Sequence, residues 1–147
     1  MAHSAADCPD PEPSSDFGGF AAGVVVIEND RGPHQSCMLI ADTPERRRRG
    51  LMGQDDLDGY AGMAFLFDDE RERSFWMRNT RIPLSIAFFD AEGAFVSSKD
   101  MEPCDDGSDC PTYSSDGPAQ FAIEVPQGRL ASVGATPGSK FEPDRHA

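Results

Sequence analysis

Lysine is almost missing from this chain: Lys99 and Lys140 stand against eleven arginines. The 13 basic residues face 26 acidic ones, for a net charge of −13, and a surface of that sign repels phosphate backbones, which argues against nucleic acid as a partner. Histidine is scarce too. His3 and His146 lie near the two ends and His34 in a loop, so a Ser–His or Cys–His pair has no positioned base. Phosphate-cradling motifs of the Walker or Rossmann kind are absent, and the reading calls for no cofactor. No apolar run approaches the roughly 20 residues of a membrane helix. The opening MAHSAADCPDPEPSSDFGG has neither a basic start nor an apolar stretch, so as written it reads neither as a signal peptide nor as membrane-inserted.

What is present begins with aspartate, seventeen against nine glutamates. High Asp with little Lys is the surface chemistry of proteins kept soluble in concentrated salt, where self-repulsion is screened, and the source reads as halophilic. At 147 residues the chain fits one domain. Its expected divisions are a disordered leader over residues 1–17, rich in Pro, Ser and Asp, a single β-rich domain over 18–142, and a polar tail over 143–147. Cys8 falls in the leader, and the residues before it do not suit lipidation.

Residues 74–90, SFWMRNTRIPLSIAFFD, carry the only tryptophan, Trp76, in an aromatic run around Arg78, Asn79, Thr80 and Arg81. Residues this large usually bury, which makes Phe75 and Trp76 core and the polar insert a turn at its edge. Earlier, Phe20–Glu28 and Gln35–Ile40 flank a turn-forming cluster and predict a hairpin. Thr43 then suits an N-cap, Pro44 the first helical position and Glu45 the positive helix end, predicting a helix of about ten residues closed by Gly50 or Gly53. Its arginines, Arg46 to Arg49, point in successive directions and read as a solvated face rather than an anion site. Further short strands are expected at residues 62–67, 74–77, 84–90, 94–101, 119–125 and 140–142. Residues 102–118 read as a long irregular loop. Many short strands with one short helix after the first hairpin define a mainly β fold, α+β at the margin: an antiparallel jelly-roll-like sandwich or barrel.

The strings ADTPERRRRGLMG, GMAFLF, FWMRNTRIPLSIAFFD, MEPC, CPTY and FAIEVPQG, in this order, closely resemble the domain-of-unknown-function 192 family, also called uncharacterised protein family 0127. The resemblance covers roughly residues 36–142. It implies a compact jelly-roll-like β domain with one helix after the opening strands, and members that are often exported, which makes an extracytoplasmic place possible for this chain. Where many members have Lys in the aromatic motif and Asp after the Pro-Leu, this chain has Arg78 and Ser85. The family name assigns no activity.

Three chemistries remain open. The first is a non-enzymatic binding or accessory module for a polar small ligand, a glycan or a protein partner of the cell envelope, with Trp76, Arg78, Asn79, Thr80 and Tyr113 as candidate binding residues and Tyr60 near the same rim. The second is soft-metal handling of copper by Met52, Met63, Met77 and Met101 with Cys37, Cys104 or Cys110, against which stands the ordinary use of methionine to fill core gaps. The third is a carbohydrate hydrolase in which Glu102 or Glu124 pairs with Asp42 or Asp90. Cys104 and Cys110 span a short loop and are expected to form a disulfide, stabilising by roughly 2–3 kcal/mol. Asp105, Asp106 and Asp109 in the same loop read as solvated rather than as a calcium site.

Overall fold

Alternating apolar and polar residues, punctuated by glycine turns, build nine strands among the residues that the computed structural model describes, 8–107 and 109–142. β1 (Ala21–Asn29) and β2 (Gly32–Ala41) form the expected hairpin, with Asn29 paired to Gly32 and a left-handed φ of 104° at that glycine. The helix α1 (Pro44–Arg49) starts as its sequence dictates. Thr43 Oγ1 accepts the Arg46 N–H at 3.1 Å, and Pro44 opens the first turn. It ends after six residues rather than about ten, at Gly50. The chain leaves the helix there because Leu51 is drawn into the core and the Gly53 N–H bonds the Asn79 carbonyl at 2.8 Å.

β3 (Gly62–Arg71), β4 (Ser74–Trp76), β5 (Leu84–Phe89), β6 (Phe95–Met101), β7 (Thr112–Ser114), β8 (Ala119–Pro126) and β9 (Lys140–Phe141) follow, with a 3-10 turn at Ala131–Val133 before the last. Seven strands form one sheet in the order β6-β5-β8-β3-β2-β1-β9, while β4 and β7 make a separate two-stranded ribbon. Every pairing is antiparallel except β2 with β3, which run parallel. A parallel pair needs a long crossover, and α1 with the loop after it supplies that connection.

The sheet curls until its two edges touch. β9 pairs with β1 on one side, and on the other its Phe141 N–H bonds the Gly93 carbonyl at 2.7 Å while Phe95 N–H bonds the Ser139 carbonyl at 3.0 Å. The result is a half-barrel, in agreement with the expected barrel or sandwich. Alternate residues on the central strands feed two cores: Phe89, Phe121 and Phe141 pack on one face, Phe65, Phe88 and Leu39 on the other.

Two expectations change. Residues 1–7 and 143–147 lie outside the described residues, but residues 8–17 of the expected leader are fastened to the sheet. Cys8 is bonded to Cys37 of β2, Asp10 accepts the Ala22 N–H at 2.8 Å, and Phe17 is buried in the core. A disulfide and one large apolar side chain overcome a composition that favours disorder. The irregular segment 102–118 contains β7, which escapes a periodicity reading because only Tyr113 of its three residues is half-buried.

Candidate arginine-lined cleft

The ribbon β4–β7 stands over the Phe65/Phe88 face of the sheet and faces α1 across a cleft of about 780 Å³. Phe75 anchors the ribbon, with ring centroids 5.0 Å from Phe65 and 5.8 Å from Phe88. In an extended strand the neighbours of an inward residue point outward. Trp76 therefore turns away from the core and is 51% exposed, correcting its expected burial. It lines the cleft, with the Arg78 guanidinium 5.3 Å from its ring centroid.

Arg78, Asn79 and Thr80 line the cleft beside Trp76. They form a tight turn held by backbone bonds: Thr80 N–H to the Met77 carbonyl at 2.9 Å, and Asn79 N–H to the Cys104 carbonyl at 2.8 Å. Asn79 has a φ of 58°, a left-handed conformation that Asn tolerates better than most residues, so it shapes the turn through its backbone. Arg78 pairs with Asp106 at 2.7 Å, which ties the turn to the loop closed by the Cys104–Cys110 disulfide. Tyr113 does not line the cleft; it packs on the core, and its hydroxyl accepts the Glu102 N–H at 3.3 Å. Tyr60 also turns elsewhere, donating to the Pro9 carbonyl at 2.9 Å. There burial, with Asp58 and Asp10 adding to it, raises its phenol pKa.

The opposite wall is the arginine run, and the solvated-face expectation fails for most of it. Arg46 pairs with Asp42 at 2.7 Å. Arg47 donates to the Leu66 carbonyl at 2.8 Å, with its guanidinium 5.1 Å from the Phe67 ring centroid. Arg49 donates to the carbonyls of Gly18 and Asp16 and covers Phe20. Arg48 alone is exposed and, among the described residues, has no hydrogen bond or ion pair. The side chains diverge, as helix geometry requires. Even so, Arg47, Arg48 and Arg49 all line the cleft, and none meets a carboxylate among the described residues. A protein of net charge −13 thus has a locally cationic hollow. Arg73, also lining it, is neutralised by Asp69, whose own pKa is lowered by the hydrogen bonds from Arg71 and Arg73.

Glu124 of β8 also lines the cleft, and it is 95% buried by its 5% relative exposure. Strand register sets it between Met63 of β3 and Ile86 of β5, both wholly buried. Alternation places it on the same face as Ala122, opposite Ile123 and Val125, and so on the side that carries α1 and the ribbon. No hydrogen bond or ion pair reaches its carboxyl among the described residues. Burial alone pushes its pKa up to about 8. The sequence signal was there: an acid inside AQFAIEV, at a position where the strand period calls for an apolar residue.

The remaining carboxylates of the glycosidase scheme are elsewhere. Asp42 holds Arg46, Asp90 caps the turn at residues 91–94, and Glu102 accepts from Gln127. Among the described residues the cleft therefore contains one carboxyl, and a two-carboxylate reaction lacks its second member among them. The soft-metal set is also reduced. Cys104–Cys110 and Cys8–Cys37 are disulfides, leaving no thiolate among them for a metal. Met63, Met77 and Met101 are buried in one core cluster, and only Met52 reaches the cleft. Among the described residues no group of three or more His, Cys, Asp or Glu side chains could hold a metal ion.

Fold and cleft together define a half-barrel β domain with a ribbon-and-helix cleft on one face. The chain belongs to the DUF192 family, described as uncharacterized ACR, whose profile matches residues 25–143. Two solved structures share the architecture. A protein of unknown function from Novosphingobium aromaticivorans DSM 12444 is 28% identical with a TM-score of 0.78, covering 97% of this chain and 99% of its own. A Sinorhizobium meliloti 1021 protein, provisionally named a transcription regulator, is 26% identical with a TM-score of 0.73, covering 84% of this chain and 94% of its own. No curated protein matches the sequence. Among the described residues no helix is long and apolar enough to cross a membrane.

Proposed function

We propose that the protein is a binding module that takes a small anionic ligand into the cleft between α1 and the β4–β7 ribbon. The observation that carries this reading is the contrast between a net charge of −13 and a hollow lined by Arg47, Arg48 and Arg49, which have no carboxylate partners among the described residues. Arg48 is the free donor, and guanidinium geometry suits a carboxylate or phosphate. Trp76, exposed at the rim, offers an apolar platform, and Arg78 and Asn79 add directional polar groups. Among the described residues the lining holds a single carboxyl and neither His nor Cys, so the reading is of binding rather than turnover.

Two disulfides suit an oxidising compartment and support an extracytoplasmic place of work. Backbone chemical-shift mapping of the oxidised chain against small carboxylates, inorganic phosphate and neutral sugars tests the proposal. Shifts at Arg48, Trp76 and residues 78–80 with the anions, lost in Arg48→Ala, are the expected result. Shifts confined to other surfaces, or none with any anion, would refute it.

A further inference from the structure

The charged wall and the buried acid make different demands on one ligand. Arg48 of α1, exposed and without a side-chain partner among the described residues, is open to an anion, and Arg47 and Arg49, already bonded to backbone carbonyls, add positive charge beside it. Glu124, about 95% buried and without a hydrogen-bond partner among the described residues, opens its carboxyl only onto the cleft and is free to take a hydrogen-bonding group there. β3 and β5 present Met63 and Ile86, which do not titrate. Among the described residues, the charged groups on the cleft side are Arg47, Arg48 and Arg49 of α1 together with Arg73 and Arg78 flanking the ribbon strand β4, and none of them brings a second carboxyl to the space.

Resting on the reading above, we propose that the cleft binds an acidic sugar, with its carboxylate on the α1 arginines, its ring against the Trp76 wall, and one of its hydroxyls on the carboxyl of Glu124. The three demands meet in this class and in few others. A phosphate or simple carboxylate satisfies the arginines and leaves Glu124 unpaired. A neutral sugar pairs Glu124 and leaves Arg48 without an anion. A zwitterionic amine would place an ammonium at Glu124 and require it to ionise between two apolar side chains. A protonated carboxyl both donates and accepts, which matches a hydroxyl and needs no charge at the floor. Burial keeps Glu124 in that form at neutral pH.

The test is calorimetric titration of the oxidised full chain with D-galacturonate, D-galactose, acetate and D-galactosamine, and with short galacturonate oligomers. Galacturonate, alone or as oligomers, is expected to bind at least about tenfold more tightly than galactose or acetate, a difference of the size one charge-assisted hydrogen bond gives. Arg48→Ala and Glu124→Ala should each lower that affinity by about tenfold, while Glu124→Gln, which also donates and accepts, should keep it within about threefold. Wild-type affinity should fall as pH rises through the Glu124 transition near 8, and the fall should vanish in Glu124→Gln. Thermal melts confirm that the variants fold. Acetate and galacturonate binding equally, both sensitive to Arg48→Ala and indifferent to Glu124→Gln and Glu124→Ala, would overturn the sugar-acid assignment and leave the anion cleft standing. Tighter binding of galactosamine as pH rises would overturn it in favour of an amine. No binding by any probe, with no shift at Trp76, would overturn both readings.

Discussion

Replacing Glu124 by Gln should remove the part of the pH dependence of stability that this residue supplies. Folding raises the Glu124 pKa from 4.5 to about 8 by burial. The folded state therefore holds this proton more tightly than the unfolded state. Its contribution is fully present below pH 4.5 and is lost as pH rises through the folded value near 8. Each pH unit between those limits costs about 1.4 kcal/mol, so the span from pH 5 to pH 8.5 should remove about 4 kcal/mol. Gln has the same shape and no titration, so the variant lacks this slope. Other carboxylates, including the exposed Asp69 with its lowered pKa, act alike in both proteins and cancel in the difference. Urea unfolding of both proteins at pH 5 and pH 8.5 measures it, with midpoints converted at a common slope. The wild type should lose about 4 kcal/mol more than Glu124→Gln between these conditions. A difference under about 1 kcal/mol would mean that the carboxyl is solvated through the cleft, and the argument from burial would be refuted.

The two disulfides should differ in worth. Cys8–Cys37 closes a separation of 29 residues and Cys104–Cys110 one of 6, so double Ser variants should lose about 3–4 and about 2 kcal/mol in urea unfolding, and the opposite order would count against the fastening of residues 8–17. At Gly93 (φ 87°) an added Cβ would sit 2.0 Å from the Phe141 carbonyl oxygen, whereas at Gly107 (φ 89°) it meets nothing within 4 Å. Gly107→Ala should cost about 1 kcal/mol and Gly93→Ala clearly more, because only the second breaks the closure of the sheet; equal losses would contradict the half-barrel. Melting temperature should rise from dilute buffer to molar potassium chloride as the −13 net charge is screened, and a flat response would remove the halophilic reading.

How much of this could be read from the residues varies with the kind of signal. The helix start at Thr43-Pro44, the first hairpin and the apolar strands β5 and β8 follow from local chemistry, and they were legible to within a few residues. The parallel β2–β3 pair was not legible. Nothing in either strand's period distinguishes a parallel neighbour from an antiparallel one, and the choice depends on where a crossover carries the chain. Strand β7 was hidden by its polar composition, and Trp76 by the rule that large aromatics bury. That rule averages over environments. On a two-stranded ribbon with one face on the core, Phe75 takes the inward position and its neighbour has none.

The site was legible in pieces that only tertiary structure joins. Arg78, Asn79 and Thr80 stand out in the aromatic motif, and all three line the cleft. The arginines of α1 are equally visible, yet their divergence on a helix hides that three of them share one hollow with residues about thirty positions away. What joins them is the crossover. Because β2 and β3 are parallel, the chain between them must pass across a face of the sheet, and the helix it carries lies opposite the ribbon. The antiparallel β3–β8 pairing then puts Met63 beside Glu124, two strands on from β2 in the sheet order, so the acid is flanked on the face that the crossover covers. The parallel β2–β3 pair therefore brings the cationic wall to the face that holds the buried acid, and the cleft is a consequence of the topology rather than of any local motif.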